Sequence, residues 1–364
     1  MTFREWNRNK NLWLRAKKAQ LAKFLFDRKS PAHYSPSAFK SIKKVLFLRY
    51  DNKLGDMIVS TISFHNLKAL YPKIHLAVIT GPSAKTIIEN NKDVDQIYLY
   101  KRSWLKILKL GLALRKEKYD LVIDIDKEPT AQSIFLLRLI KARFTFGFNR
   151  DGYKLYNINK SYKWNSAHIT KLHKAVFEGL KILPRDYVFD YRYILPLPKE
   201  SVKLAEKVVK SLKLQAGEKL IIFNPFAASH RRCFSAKQAL EIAKLLPKYK
   251  ILIIGPANNL KTFFRGYNDL PGNLTLVSQE NALKGGILLN IALLKQADIL
   301  ITPDTYIVHA ASGFGKKQIC IYLGLDQENI VLWGPNSQNA VLLENQHTYN
   351  KDFEIKELVK ELTY

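Results

Sequence analysis

Residues 44–61 read KVLFLRYDNKLGDMIVST, and this stretch decides the fold. Residues 45–48 form an uninterrupted apolar run, which is typical of a strand that is covered on both faces of a parallel sheet. Turn-forming residues follow, and from Asp56 onward the apolar spacing becomes that of a helix that ends near the proline at position 72. The stretch therefore predicts a strand, a turn that contains glycine, and a helix with an acidic residue at its start.

Asp56 is the first candidate functional residue. In open α/β sheets, ligands bind outside the carboxyl ends of the parallel strands, and Asp56 follows such an end. A carboxylate at a helix start also has a purely structural use, because it stabilises the helix as an N-cap. The residues alone leave both interpretations open.

The composition indicates a globular protein with two domains. The chain has 364 residues, of which 47% are hydrophobic and 25% are charged, and this length exceeds what one ordinary core holds. A run of about 18 apolar residues does not occur, so no membrane span is expected. Cys233 and Cys320 are the two cysteines, which excludes a disulfide framework and fits a reducing cytoplasm.

The formal net charge is +28, which implies anionic partners. Nucleic acid, anionic lipid headgroups and phosphorylated substrates all satisfy this condition, and charge does not choose among them. A solvated surface rich in lysine is the alternative explanation for part of the excess.

Residues 1–42 form a basic leader ahead of the first strand. The apolar side chains that share one side of a helical wheel are Trp6, Trp13, Leu14, Leu21, Phe24 and Leu25. Arg4, Arg8 and Arg15 lie on another side, whereas Lys10 and Lys17 interrupt the apolar one. The pattern suits a helix on an anionic membrane surface, and packing on the protein body is the alternative. Ser-Pro pairs at 30–31 and 35–36 are expected to end the helix.

Strand-like and helix-like segments alternate along the rest of the chain. The strands predicted in the first half, residues 43–190, are 45–48, 76–79, 95–100, 119–124 and 144–148. Those predicted in the second half, residues 191–350, are 219–223, 249–254, 274–277, 297–302 and 318–323. Such alternation predicts an α/β fold with a doubly wound parallel sheet in each half, and the two sheets face a cleft.

The segments outside this alternation connect or end the halves. A proline-rich segment, residues 183–198, is the predicted linker between the halves. A final helix within residues 351–364 is expected to pack back on the first half.

Three loops end strands on the predicted cleft side, namely 51–56, 224–234 and 303–309. The second loop carries Ser229, Arg231 and Arg232, and guanidinium groups beside backbone amides suit a phosphate. A solvated basic loop is the alternative. The third loop opens a helix with Asp304 and Thr305, where free amides suit a diphosphate oxygen.

Two further residues of the third loop have alternative uses. Asp304 would repel a phosphate, so it suits sugar hydroxyls or a helix cap. His309 either lines the cleft or is a satisfied helix histidine, and the second interpretation is favoured.

Several familiar signatures are absent from the sequence. It contains neither a Gly-x-Gly-x-x-Gly turn after a strand nor a phosphate-binding loop with a Walker lysine. Asp124 and Asp126 have an acid–x–acid spacing that binds divalent metal in other folds, but no further acid cluster accompanies them. A strand end is therefore the favoured interpretation, and no metal site is predicted.

Five segments occur in an order that is known from one enzyme family. They are Arg49 through Gly55-Asp56, then His168, then 224–227 (NPFA) with 232–235 (RCFS), then 304–311 (DTYIVHAA), then 322–324 (YLG) with 333–335 (WGP). In these segments the chain resembles glycosyltransferase family 9, the ADP-heptose:lipopolysaccharide heptosyltransferases. The resemblance extends from about residue 43 to the C-terminus.

The resemblance implies a GT-B type fold of two Rossmann-like domains and an inverting transfer without metal or cofactor. Asp56 would be the general base toward the acceptor hydroxyl, and Arg232 would stabilise the leaving diphosphate. The residues assigned to the donor are Ala227, Ala228, Ser229, Arg231, Asn259, Asp304, Thr305, Tyr306 and His309. The residues assigned to the acceptor are Arg49, Lys53 and His168.

The implied partners are ADP-heptose, the lipopolysaccharide core and an anionic membrane surface, with no nucleic acid. The implied location is the cytoplasm, peripheral at the inner face of the bacterial inner membrane. This chain departs from the family pattern at Phe226 and Tyr306, where the family has glycine, and at Asn259, where the family has an acid. A glycosyltransferase with another nucleotide sugar is therefore the first alternative.

A non-catalytic basic protein that binds nucleic acid or lipid is the second alternative. Gly55-Asp56, Arg232 and Asp304 argue against it, because a pure binder does not need them together.

Overall fold

The computed structural model describes residues 3–28 and 32–363, which form two parallel six-stranded sheets flanked by helices. The strands of the first sheet are β1 Lys44–Arg49, β2 His75–Thr80, β3 Gln96–Leu99, β4 Leu121–Asp124, β5 Phe144–Phe148 and β6 Ile158–Lys160. Those of the second are β7 Lys219–Phe223, β8 Tyr249–Ile253, β9 Leu274–Leu276, β10 Ile299–Pro303, β11 Lys317–Leu323 and β12 Ala340–Asn345. The strand orders are β3-β2-β1-β4-β5-β6 and β12-β11-β10-β7-β8-β9.

The helices alternate with these strands along the chain. Those up to the linker are α1 Phe3–Phe26, α2 Leu54–Leu70, α3 Pro82–Ile88, α4 Trp104–Glu117, α5 Ala131–Ile140 and α6 Thr170–Leu180. Those beyond it are α7 Lys199–Ser211, α8 Ala236–Leu245, α9 Ala257–Phe263, α10 Gln279–Gln296, α11 Tyr306–Gly313, α12 Gln327–Trp333 and α13 Ile355–Thr363. Short 3₁₀ helices occur at Pro36–Ser41, His230–Arg232 and Asn350–Asp352.

The central position of β1 explains its apolar sequence. β1 pairs in parallel with β2 on one side and β4 on the other. Val45 and Phe47 are buried in the core on one face of the sheet, and Leu46 and Leu48 in the core on the other face. A strand buried on both faces has no position for a solvated side chain, so its sequence is continuously apolar.

The predicted fold class is confirmed, and each predicted strand occurs within a few residues of its expected bounds. The sequence pattern does not predict β6, β12, α9 or α12. β6 has three residues, and β12 is an edge strand whose side chains are mostly half-buried, so neither has the continuous apolar run of a central strand. α10 begins at Gln279, and Gly286, at φ 52°, kinks it.

The leader forms α1, and its last turns pack on the protein body. Ala22 is buried, and the Phe26 ring lies 5.0 Å from the Phe135 ring of α5. The carboxylate of Asp27 accepts hydrogen bonds from the backbone amides of residues 154 and 155. Packing on the body therefore holds for the end of this helix, whereas its aromatic residues Trp6, Trp13 and Phe24 are exposed. The predicted helix-breaking pair at 30–31 lies outside the described residues.

The C-terminal helix α13 packs within the second half of the molecule. It contacts α8, and the Tyr249 hydroxyl donates a hydrogen bond to the carbonyl of Leu362 over 3.3 Å. The expected packing of this helix on the first half is corrected accordingly, because its buried face is taken up by α8. Among the described residues, no helix is long and apolar enough to cross a membrane.

Candidate active site

The carboxyl ends of the two sheets meet at a cleft of about 1020 Å³ that both halves line. The start of α2 contributes one wall, and α11 with the loop after β7 contributes the other. α2 and α11 are in direct contact, and Gly55 lies at this contact with little space for a side chain. A Cβ on Gly55 would lie 3.0 Å from Cδ2 of His309 and 3.6 Å from Cα of Tyr306. The glycine of the opening stretch therefore lets the two halves approach.

Asp56 lies in the first turn of α2 and faces the cleft. The N-cap of this helix is Lys53, and the Asp56 carboxylate is hydrogen-bonded to the Arg49 guanidinium instead of to the helix amides. The purely structural N-cap interpretation of Asp56 is therefore wrong. Lys53 is exposed beside it, with Nζ 4.0 Å from the Asp56 carboxylate.

Arg49 is buried behind Asp56 at the end of β1 and does not line the cleft. Its guanidinium also pairs with the Asp51 carboxylate over 3.0 Å. The predicted contact of Arg49 with an acceptor is thus corrected, because its side chain turns beneath the cleft wall. The geometry gives it another use, which is to fix the orientation of the Asp56 carboxylate.

Further carboxylates lie close to the same guanidinium. Burial and the charge of Asp124 raise the pKa of Asp126 to about 7, while Arg49 opposes this shift. Asp124 accepts a 2.5 Å hydrogen bond from the Tyr156 hydroxyl, and Arg150 lies 3.8 Å from it. These contacts explain the acid–x–acid pair as part of a buried network. The described residues contain no group of three or more side chains that could hold a metal ion.

Arg232 and Asp304 form an ion pair on the second wall of the cleft. The same Asp304 oxygen accepts a 2.8 Å hydrogen bond from Asn329 of α12. The side chain of Asn350 donates to the backbone carbonyl of Arg232 over 2.8 Å, which fixes the short 3₁₀ helix that carries the arginine. Sequence reasoning missed Asn329, because the short helix α12 has no buried residues and hence no apolar pattern.

Arg231 and Ser229, both predicted at the donor, do not line the cleft. Nε of Arg231 donates to the carbonyl of Thr348 over 3.3 Å, and its guanidinium lies over the Tyr349 ring. Successive residues of a 3₁₀ helix point about 120° apart, so only one of two adjacent arginines faces the cleft. Of the two predicted arginines, Arg232 lines the cleft and Arg231 does not.

Other predicted donor residues do line the cleft. They are Ala227, Ala228, Asn259, Asp304, Thr305, Tyr306 and His309. Thr305 caps α11, since its hydroxyl accepts a 3.2 Å hydrogen bond from the amide of Ile307. The first amides of α11 thus open on the cleft beside a hydroxyl, which is an arrangement that suits an anion.

Two aromatic residues narrow this wall. The Phe226 ring lies directly on Gly255, where a Cβ would come within 2.2 Å of it, and it also packs edge-to-face against the Phe263 ring, with the ring centres 5.0 Å apart. Tyr306 lies between the two halves, and burial raises its pKa to about 12. Both residues stand at positions where the sequence signature has glycine, so the cleft is more crowded than that signature predicts.

The two histidines behave differently from their predictions. His309 is buried at the cleft, burial lowers its pKa to about 4, and its Nδ1 has no hydrogen-bond partner among the described residues. The favoured interpretation of a satisfied helix histidine is therefore wrong. His168 lies outside the cleft, and its ring is hydrogen-bonded to the carbonyl of Gly334 and the hydroxyl of Thr170, both at 2.9 Å. It ties the two halves together, and its contact with an acceptor stays a prediction.

Comparison with known proteins gives a consistent result. The profile of glycosyltransferase family 9 (heptosyltransferase) matches residues 107–362, more than half of the chain. A protein of Escherichia coli (strain K12), described as "Putative lipopolysaccharide heptosyltransferase 4", is 23% identical over 372 residues, covering 98% of this chain and 96% of the relative.

Solved structures share the fold. A glycosyl transferase family 9 protein from Veillonella parvula DSM 2008 superposes with a TM-score of 0.70 at 18% identity, covering 88% of this chain and 92% of that one. The E. coli ADP-heptose LPS heptosyltransferase II superposes with a TM-score of 0.68 at 16% identity, covering 88% and 97%. E. coli heptosyltransferase WaaC with ADP gives a TM-score of 0.62 at 14% identity, covering 87% and 99%. With its two facing sheets and its family profile, the chain belongs to glycosyltransferase family 9, the heptosyltransferase family, and is a glycosyltransferase.

Proposed function

We propose that the protein transfers heptose from ADP-heptose to the lipopolysaccharide core, with inversion at the anomeric carbon and without a metal ion. The observation that carries the proposal is that the two walls of one cleft present groups of opposite charge. A carboxylate, Asp56, faces the cleft from the first half, and a guanidinium, Arg232, faces it from the second. An acid and a cation on opposite walls suit a reaction that needs a base at one end and a leaving group at the other.

In the proposed reaction, Asp56 removes the proton of an acceptor hydroxyl while that oxygen attacks the anomeric carbon of the donor. The bond between this carbon and the diphosphate oxygen breaks, and its electron pair leaves with the diphosphate. Attack from the face opposite the leaving group inverts the configuration. Arg232 offsets the negative charge that develops on the departing oxygen.

The donor would bind along the second wall. The amides at the start of α11 and the Thr305 hydroxyl are placed to hold phosphate oxygens. Arg232 pairs with Asp304 in the free protein, so a bound diphosphate would compete for this guanidinium and leave Asp304, still bonded to Asn329, to accept sugar hydroxyls. Asn259 at the start of α9 lies where a nucleotide ribose would reach. His309 and Tyr306 of α11 would form the floor of the donor site.

Arg49 has a positioning role in this proposal. Its guanidinium holds the Asp56 carboxylate from behind, away from the cleft. Because the carboxylate is held in one rotamer, one of its oxygens already faces the acceptor. This lowers the entropy cost of reaching a reactive geometry. Lys53, exposed at the mouth of the cleft, is the remaining candidate for an anionic acceptor.

The choice of ADP-heptose is supported by solved relatives that contain ADP and ADP-2-deoxy-2-fluoro heptose. Another nucleotide sugar is the second candidate, and one observation favours it. Phe226 and Tyr306 occupy space that the signature glycines would leave open, so the donor pocket of this chain has its own shape. In either case residues 43–190 would bind the acceptor, and residues 191–350 would bind the donor.

The acceptor chemistry gives the proposed location. A lipopolysaccharide core under construction is an anionic, lipid-anchored molecule, so the enzyme would work in the cytoplasm at the inner face of the inner membrane. The net charge of +28 suits such a surface.

Titration calorimetry with ADP-heptose, a UDP-sugar and free ADP tests the donor. Saturable binding of ADP-heptose and ADP, with no heat from the UDP-sugar, is expected. Binding of the UDP-sugar alone would reject ADP-heptose and keep the second candidate. Heptose transfer to a purified truncated core, followed by mass spectrometry with and without EDTA, then tests the acceptor and the independence from metal.

A further inference from the structure

α1 carries a continuous exposed stripe of aromatic, apolar and basic side chains. We call it the α1 stripe, and its members are Trp6, Lys10, Trp13, Lys17, Leu21 and Phe24. They recur at spacings of three and four residues, which places them on one face of the helix. Trp13 is 59% exposed and Phe24 is 86% exposed, which is unusual for such large apolar side chains.

The stripe points away from the protein body. The side chains that anchor α1 to the body are Ala22 and Phe26, each two residues from Phe24 in sequence. Two residues correspond to a rotation of about 200° in an α-helix, so the anchoring face and the α1 stripe lie on nearly opposite sides. A helix that only packed on the body would carry polar residues on its outer face. The α1 stripe is therefore not explained by the fold.

The alternation of tryptophan and lysine indicates the kind of partner. Nζ of Lys10 lies 4.9 Å from the Trp6 ring, and Nζ of Lys17 lies 5.8 Å from the Trp13 ring. Tryptophan favours the boundary between headgroups and acyl chains, and lysine extends its stem along apolar surface while its ammonium reaches anionic groups. An apolar protein partner would not need the two lysines that alternate with the tryptophans of the stripe. An anionic lipid surface uses both residue types at once.

A neighbouring helix extends this apolar surface. α5 packs against both α1 and α4, and the Phe135 ring of α5 lies 5.5 Å from the Trp104 ring at the start of α4. Leu105 beside it is 72% exposed, and Lys109 and Leu112 follow along the exposed side of α4. The end of α1 and the start of α4 thus offer exposed apolar residues on either side of α5.

We propose that the α1 stripe, together with Trp104 and Leu105, docks the protein on an anionic phospholipid bilayer. The helix would lie in the plane of the headgroups, since no described helix can cross a membrane. The inference goes beyond the proposed transfer, because docking requires neither donor nor acceptor. It assigns the contact to one surface of this chain, instead of to its net charge as a whole.

Co-sedimentation with vesicles tests the proposal on the full chain. The probes are vesicles of phosphatidylethanolamine with phosphatidylglycerol, and vesicles of phosphatidylcholine alone. We expect binding to the anionic vesicles, with a blue shift of tryptophan emission. The double variant Trp13→Ala and Phe24→Ala, and the double variant Lys10→Glu and Lys17→Glu, should each weaken binding by at least about tenfold.

A matched control separates the α1 stripe from net charge. Lys203→Glu with Lys210→Glu on α7 makes the same charge change at the same seven-residue spacing, on exposed side chains. This control should bind the anionic vesicles as the unmodified protein does. Equal weakening by the control and the Lys10/Lys17 variant would overturn the proposal, because general charge would then account for binding.

Two other results would also overturn it. One is equal binding of all variants to both vesicle types. The other is an absence of vesicle binding. If analytical ultracentrifugation then shows a dimer that dissociates in the Trp13→Ala and Phe24→Ala variant, the α1 stripe contacts a second copy of the chain. Circular dichroism and melting of each variant show that the fold is retained. Donor calorimetry is independent of these results, so failure of docking and failure of the proposed transfer are distinguishable.

Discussion

Replacing Asp56 with asparagine separates proton removal from every other role of this side chain. The change Asp56→Asn keeps the size of the side chain and an oxygen that accepts a hydrogen bond from Arg49, but it removes the base. General base catalysis by a positioned carboxylate contributes about 10²–10⁴ in rate. The turnover number of Asp56→Asn should therefore fall by about 10²–10⁴.

The same substitution should leave the protein folded. Removing one partner of an isolated buried ion pair costs about 3–5 kcal/mol. Arg49, however, keeps the Asp51 carboxylate at 3.0 Å, so the buried cation is not left alone. The hydrogen bond from Arg49 is kept but its acceptor becomes neutral, so the expected loss is the difference between the two kinds of hydrogen bond, about 1 kcal/mol of unfolding free energy.

Asp51→Asn is the matched control, because it removes the other carboxylate of the same guanidinium. Asp51 does not line the cleft, so its loss should cost similar stability and much less turnover. The assay follows ADP release in the presence of acceptor, with donor binding by calorimetry and unfolding by urea. If the two variants lose turnover equally, the effect arises from the Arg49 ion pairs and the base assignment is refuted. Full turnover of Asp56→Asn would refute it directly.

The remaining predictions concern four other residues. Arg232→Met should lower turnover by about 10²–10³, whereas Arg231→Met should leave it near the original value, as single-turnover rates would show. His168→Ala should lower the unfolding free energy by about 1–2 kcal/mol through its lost hydrogen bonds and leave the acceptor KM unchanged; a raised KM would restore its predicted acceptor role. Burial lowers the pKa of His173 to about 3, so its contribution to stability is complete above the unfolded pKa and is lost as the pH falls. From about pH 7.5 to about pH 5 this loss is about 2 kcal/mol, and urea unfolding should show that His173→Asn loses about that much less.

The backbone of the opening stretch could be predicted because its causes are local. A central strand must be apolar on both faces, and the helix that follows it has its own apolar spacing. The direction of a side chain has no such local cause. Arg49 ends β1 in the sequence pattern, but only the packed carboxylates of Asp51 and Asp56 draw it beneath the cleft wall. Its role as a positioning residue therefore required the structure.

The second wall also depends on contacts that the sequence pattern does not predict. The sequence predicts a basic loop on the cleft side, and the backbone places part of this loop at the cleft. The choice between Arg231 and Arg232 depends on a three-residue 3₁₀ helix whose orientation is set by Asn350, more than a hundred residues away in the chain. Asn329, which shares Asp304 with Arg232, belongs to a helix with no buried residues. Contacts of this range leave no periodic pattern in a sequence.

Each wall carries an arginine–aspartate ion pair, but the more exposed partner differs between the walls, and this difference supports the proposed roles. On the first wall the acid is nearer the solvent, since the Asp56 side chain is 14% exposed and Arg49 is 7% exposed. On the second wall the cation is nearer, since Arg232 is 28% exposed and Asp304 is 10% exposed. In the proposed reaction, an anionic donor would be attracted to the exposed cation of the second wall, so its diphosphate would lie away from Asp56. The carboxylate would then remain available for a neutral hydroxyl, which is the one group in the reaction that must lose a proton.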